Sequence, residues 1–222
     1  RSCAYGIRQE NGSRISNLEY AGYEIVDGKE GLPGLPASFG RDDQVQTLYI
    51  HMKDPAAGLK VRLAYSVFYE ADVITRSVVF ENASGEPLTL TKMLSMSVDF
   101  REDDFHVLTL YGAHNNERNL DRRPLTSGMV SIESLRGTSS PQQSPFMALL
   151  RKDAGEYQGD VYGASFVYSG NFVASAQVDP YRNVRFQMGM NPLNGDWYLK
   201  PGETFYTPEV VMVYSDHGLM EM

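Results

Sequence analysis

Apolar and polar residues alternate over short stretches along nearly the whole chain, most sharply between Val161 and Trp197. Val161–Tyr168 and Phe172–Val178 are dense in Val, Phe and Tyr, residues that suit a pleated, half-buried surface. Ser169-Gly170-Asn171 lies between them and tolerates the positive φ of a tight turn, so the pattern predicts a hairpin. Asp179-Pro180 ends the second strand, because proline has no N–H to give to a ladder. Arg182–Gly189 resumes with Val184, Phe186 and Met188 on one face and Arg185 and Gln187 on the other.

The same two-residue period runs through the rest of the chain. Ala4–Arg8 and Leu18–Ile25 read as short strands around Asn11-Gly12, a dipeptide suited to a type I′ hairpin turn. Residues 27–36 are rich in Gly and Pro and read as a loop. Gln46–Met52 and Leu59–Tyr69 follow, the second with Leu59, Val61, Leu63, Tyr65, Val67 and Tyr69 on a core side and Lys60, Arg62 and Ser66 on a mostly wet side. Val73–Phe80 is expected to pair with Leu88–Phe100 through the turn Asn82-Ala83-Ser84-Gly85. After Phe105–Tyr111, the stretch from Gly112 to Pro124 is polar and irregular and reads as a loop, as does Arg136–Pro145 beyond the strand Met129–Leu135. Phe146–Arg151, Trp197–Leu199 and Phe205–Tyr214 complete the strands. No window carries apolar residues at helical spacing over three turns, so the expected fold is an all-β, large antiparallel β-sandwich.

Composition narrows the function classes. The net charge is -8, and no block of Lys or Arg interrupts the acidic background, which argues against a nucleic-acid partner. No apolar run reaches the roughly 18 residues of a membrane span, so no membrane partner is expected. Cys3 is the single cysteine; it excludes an internal disulfide and points to a reducing, cytoplasmic compartment. The chain starts at Arg1 without an initiator Met, and 214–222 follow the last strand with no closing element, so a cut at both ends is expected.

Candidate chemistry is sparse. His51, His106, His114 and His217 show no metal-ligand spacing, no Gly-rich phosphate loop opens a helix, and no nucleophile elbow is present; no metal or cofactor is expected. Asp99, Glu102, Asp103 and Asp104 cluster at the end of a long strand, where paired carboxylates could serve glycoside hydrolysis, but such a run reads first as a solvated turn. His114 and Glu117 could move a proton at a sugar hemiacetal if they faced each other. Trp197, the only tryptophan, reads as a core-edge residue before a sugar platform. Arg122-Arg123, near Glu117-Arg118, reads as a solvated face or an intersubunit ion-pair network.

Six segments together carry a resemblance: Ile74–Asn82 (ITRSVVFEN), Leu94–Phe100 (LSMSVDF), Glu117–Leu125 (ERNLDRRPL), Ser131–Ser140 (SIESLRGTSS), Val161–Phe172 (VYGASFVYSGNF) and Pro208–Leu219 (PEVVMVYSDHGL). In order and spacing they resemble the N-terminal domain of bacterial α-galactosidases of glycoside hydrolase family 36. The resemblance implies a β-supersandwich, galactose-mutarotase-like, that precedes a (β/α)8 barrel holding both catalytic aspartates of a retaining mechanism. The family's nucleophile motif, Lys-Trp-Asp followed by Met-Asn-Arg, is absent, so residues 1–222 are expected to be one N-terminal domain, inactive without the barrel. Arg1-Ser2 resembles the tail of the family's Asp-Phe-Arg-Ser segment, which places the first strands outside the chain.

The resemblance further implies a homo-oligomer, a tetramer in the family, in which this domain buries interface and borders a neighbour's active-site mouth, with an α-galactoside bound through the barrel. It makes the loops Gly112–Arg123 and Arg136–Pro145 candidate walls. Candidate substrate-binding residues are His114, Asn115, Arg118, Ser140, Gln142 and Trp197, with none assigned a catalytic role. Family members commonly carry Trp where this chain has His114, His where it has Pro141, and Asn-Pro-Phe at 191–193, where it has Asn-Pro-Leu, and at 144–146, where it has Ser-Pro-Phe. Two other readings stay open: a free-standing carbohydrate-binding module, which needs exposed aromatics on one concave face, and a mutarotase-like enzyme, which needs a His and a Glu within hydrogen-bond reach in a pocket.

Overall fold

The computed structural model describes residues 2–222; the expectation attached to Arg1 lies outside them. In chain order its strands begin with β1 (Tyr5–Gln9), β2 (Glu19–Asp27), β3 (Val45–Asp54), β4 (Leu59–Phe68), β5 (Val73–Asn82), β6 (Leu88–Phe100), β7 (Phe105–Ala113) and β8 (Asn116–Pro124). They continue with β9 (Gly128–Glu133), β10 (Gln143–Arg151), β11 (Val161–Phe166), β12 (Phe172–Val178), β13 (Val184–Met190), β14 (Trp197–Leu199), β15 (Thr204–Tyr206) and β16 (Val210–Ser215). They form two antiparallel sheets. One has six strands in the order β1-β6-β13-β12-β9 with β14 beside β6. The other has ten, in the order β2-β3-β4-β5-β16-β11-β10-β7-β8 with β15 beside β5. The all-β antiparallel sandwich is therefore what the alternation builds.

The core sits between the sheets because both contribute an apolar face. Met96, Phe172, Phe186 and Met188 of the smaller sheet meet Phe105, Val107, Met147, Leu149 and Phe166 of the larger. A second cluster joins Ile7, Leu88, Leu90 and Leu199 to Leu59, Val61, Val78 and Phe80. Each such side chain contributes about 1.5–3 kcal/mol on full burial.

Strand spans follow the period, but three expected pairings do not form. β11 and β12 lie in different sheets: Val167 N–H bonds Glu209 O at 2.9 Å, and the chain then crosses the core edge to Phe172. β5 and β6 also part, because the buried Asn82 side chain donates to Glu86 O and Leu199 O, both at 2.9 Å, and so makes a corner rather than a hairpin. Asn11-Gly12 does turn, with Gly12 at φ 82, yet β1 bonds β6 while β2 bonds β3. Small turn residues license a reversal, and a reversal serves a crossing between sheets as well as a hairpin.

Other departures follow from what covers each strand. Asn116–Pro124 is a strand, not a loop; as the edge β8 it pairs only with β7 and buries neither face, so no alternation marks it. Phe205–Tyr214 divides into β15 and β16 because Thr207 Oγ1 accepts the Val78 N–H at 2.9 Å and Pro208 has no N–H to donate. The side of β4 expected to be wet is partly dry. Residues 28–44 lie across it as a strap, so Thr47, Ser66 and Thr75 are buried, and Thr47 Oγ1 bonds Gly28 O at 2.7 Å. Lys29 Nζ meets Glu209 Oε2 at 2.9 Å and Ser38 O at 2.8 Å, and Ser38 N–H bonds Glu209 Oε1, which locks the strap onto the start of β16.

Candidate functional site

The β7–β8 hairpin carries the first candidate loop. Tyr111 faces Asn119 and Ala113 faces Asn116, with a register shift between the two pairs, so His114-Asn115 forms the tip. Asn115 takes φ 62, which asparagine tolerates better than most residues, and its N–H bonds Glu117 Oε1 at 2.9 Å. Arg118 is also held at positive φ, 59°, by the bulge. Gly112 is required here: a Cβ on it would lie 2.8 Å from Glu117 Cα and press on Asn116 O. His114, Asn115 and Arg118 are all exposed.

The second candidate loop is pinned at several points between β9 and β10. Ser134 N–H bonds Phe172 O at 2.9 Å and Ser139 N–H bonds Ser169 O at 2.7 Å. Ser140 Oγ accepts from Gln142 N at 3.3 Å and from Arg136 Nη1 at 3.4 Å. Gln143 then pairs with Tyr111 of β7, which sets the two loops side by side. Five of the six candidate residues, His114, Asn115, Arg118, Ser140 and Gln142, thus share one end of the larger sheet.

Trp197 does not join them. It pairs with Leu90, on the stretch of β6 that also bonds β1, and packs its ring on Phe205 with centroids 5.1 Å apart. Its other face is open, the residue being 50 % exposed, which fits the core-edge reading.

Sequence reasoning missed the residues that hold this end together. Asn171 Oδ1 accepts from Gly137 N–H at 2.7 Å and its Nδ2 donates to Asn194 Oδ1 at 2.6 Å. Asn191 Nδ2 donates to Glu133 Oε2 at 3.0 Å, and its Oδ1 caps the 3-10 turn Pro192–Asn194 through Leu193 N–H. The Asn191-Pro192 dipeptide was a readable cap signal. The reach of Asn171 across three segments was not.

The acidic cluster is answered charge for charge. Asp99 pairs with Arg185 at 2.7 Å, Asp103 with Arg182 at 2.8 Å, Glu102 with Arg151 and Asp104 with Lys152. The Arg182 hydrogen bonds hold the Asp103 carboxyl below its ordinary value. Each of these acids is thus held in an ion pair at the end of β6 or on the turn into β7. Arg122 is exposed, and among the described residues it forms no ion pair within the chain. It donates to His106 Nδ1 at 3.0 Å and to Ala154 O at 2.7 Å. Burial, with Arg122 and Lys152 nearby, lowers the His106 pKa and so favours the neutral ring. Among the described residues no Glu bonds His106 or His114; a His–Glu contact is made instead by His51 Nε2 and Glu24 Oε1, 3.2 Å apart and both exposed across β2 and β3. No group of three or more His, Cys, Asp or Glu among the described residues could hold a metal.

Residues 1–200 match the family described as Glycosyl hydrolase family 36 N-terminal domain. The chain is 50% identical to Alpha-galactosidase AgaA of Geobacillus stearothermophilus over 100% of its own length and 31% of that protein's. It is 42% identical to Alpha-galactosidase Mel36A of Lactobacillus acidophilus, covering 97% of this chain and 30% of that one. A crystal structure of a substituted AgaA in complex with stachyose matches at a TM-score of 0.98 and 50% identity, with 100% of this chain and 31% of the other covered. The chain therefore spans about a third of the length of these relatives. A family match over most of the chain and shared residues along all of it agree with the two-sheet architecture: the chain belongs to glycosyl hydrolase family 36, as its N-terminal domain.

Proposed function

We propose that this domain is the non-catalytic N-terminal sandwich of a retaining α-galactosidase acting on terminal α-galactosides of the raffinose and stachyose type. It supports an oligomer and lends one wall of the active-site mouth. The observation that carries the reading is the meeting of the two candidate loops across Gln143 and Tyr111, on a chain similar to α-galactosidases along its whole length. His114, Asn115, Arg118, Ser140 and Gln142 are proposed to contact sugar or a neighbouring subunit there, while Trp197 serves the edge near β6. Pairing of every acid in the 99–104 cluster supports a non-catalytic role. An exposed, free Cys3 supports a cytoplasmic location.

The test is hydrolysis of p-nitrophenyl α-galactoside by the 222-residue chain beside the same protein extended to the length of its relatives. Turnover by the extended protein alone is expected. Reproducible turnover by the short chain overturns the reading.

A further inference from the structure

Strand register gathers four basic side chains on the outer face of the larger sheet. His51 of β3 stands opposite Arg62 of β4, and Lys53 stands opposite Lys60, so the four form a two-by-two block on neighbouring strands. With strands about 4.8 Å apart and a rise of about 3.4 Å per residue, the block measures roughly 5 by 7 Å. Like charges directly opposite each other destabilise a sheet, and the chain as a whole carries a net charge of -8. Cations gathered at one spot therefore run against both the local cost and the overall balance.

The block borders a groove of about 470 Å³, in which Glu81 is the one acid among the lining residues and Tyr206 adds a hydroxyl. Arg62 is set in place beforehand: its guanidinium carbon lies 4.6 Å from the ring centroid of Tyr49, which is buried. Stacking of this kind fixes the fork before a ligand arrives. Its Nη2 reaches Glu30 Oε2 on the strap at 3.3 Å, while His51 meets Glu24 at 3.2 Å and Lys60 meets Glu81 at 2.9 Å. Ion pairs at the surface contribute little, so these exchange readily for a stronger anion. Lys53 is exposed and makes no hydrogen bond or ion pair among the described residues.

We propose that this groove binds a phosphate group, free or carried on a small organic ester. Donors at four corners suit an oxyanion with three or more acceptor oxygens, which a carboxylate does not offer, and Arg62 supplies a fork where the lysines supply point charges. A neutral sugar would leave the repulsion across the block unanswered. A nucleic acid or an anionic membrane surface would meet the -8 chain beyond the groove. β3 and β4 lie towards the opposite end of the ten-stranded sheet from the β7–β8 hairpin, so this site is separate from the candidate loops and stands or falls without the function proposed for them.

The experiment titrates the protein, extended to the length of its relatives, with inorganic phosphate and with glycerol 3-phosphate in a calorimeter, at an ionic strength held constant with sodium chloride. Saturable binding is expected, together with a melting temperature that rises with phosphate concentration. Lys53→Ala and Lys60→Ala are each expected to weaken binding about tenfold, the scale of one charge-assisted hydrogen bond. Without phosphate, Lys53→Ala should melt at or above the temperature of the unsubstituted protein, because it relieves the repulsion from Lys60. Tighter binding of the ester assigns the site to an organic phosphate, and equal or tighter binding of inorganic phosphate assigns it to the free ion; either result supports the site. No saturable binding of either probe, binding that both substitutions leave unchanged, or a melting temperature lowered by Lys53→Ala in the absence of phosphate overturns the proposal.

Discussion

Asn171 Oδ1 accepts the Gly137 N–H at 2.7 Å, so one side chain on the crossing between the sheets holds the second candidate loop in place. Its amide also reaches Asn194, which makes it the joint of three segments. Asn171→Ala removes two hydrogen bonds made by a buried side chain and, at about 0.5–1.5 kcal/mol each, should destabilise the protein by about 1–3 kcal/mol in urea denaturation. Asn171→Asp keeps the acceptor and loses the donor, so its loss should be smaller. Equal losses would mean that Gly137 is not held by this bond.

Asp54 gives a pH prediction. Its Oδ2 accepts from Asn17 N at 2.7 Å and Ser16 Oγ at 2.8 Å, and its Oδ1 accepts from Ala56 N and Ala57 N at 3.0 Å each. Burial pushes the carboxyl up, but these four bonds outweigh it and hold the pKa below the ordinary 3.8. A depressed folded value contributes stability above the unfolded pKa and loses it as pH falls through the folded one. Asp54→Asn should therefore lower stability at pH 7 and flatten its fall below pH 3.8. Parallel stability–pH curves for the two proteins would refute the assignment.

Lys29 and Glu209 should behave as a buried pair, their side chains being 6% and 1% exposed. Lys29→Met alone strands the carboxylate and should cost about 3–5 kcal/mol. Adding Glu209→Leu should restore much of that, because two apolar groups replace two charges. A double-mutant cycle with purely additive losses would count against the lock.

Gly112→Ala should distort the β7–β8 hairpin at a cost of about 1–3 kcal/mol, the range for overpacking, because the new Cβ meets backbone on two sides. In the protein extended to the length of its relatives, the proposed wall role predicts that KM for stachyose rises while kcat changes little. A fall in kcat alone would move Gly112 and the hairpin tip away from substrate binding.

Most strand spans were legible, since Leu59, Val61 and Leu63 or Val184, Phe186 and Met188 each put a side chain on the core at every second position. The partners were not. Ser169-Gly170-Asn171 and Asn82–Gly85 each reverse the chain, and only the buried bonds of Asn82 and the Val167–Glu209 contact decide that the reversal changes sheets. β8 escaped because an edge strand with both faces wet carries no period. The two loops of the candidate site were visible as polar stretches, and the resemblance named them together. Their adjacency, the Asn171 joint and the separation of Trp197 depend on contacts between residues far apart in sequence, which no local pattern records.

The strap has a consequence for synthesis. Ser38 finds its partner Glu209 171 residues later, so on a ribosome adding about 5–20 residues per second the strap waits roughly ten to thirty seconds for its anchor. During that interval Thr47, Ser66 and Thr75 face water without strain, because hydroxyls are at home there. Hydroxyls spaced among Tyr49 and Val79 make the uncovered face less apolar than the core face opposite, and the Lys29–Glu209 contact forms only once the start of β16 has arrived.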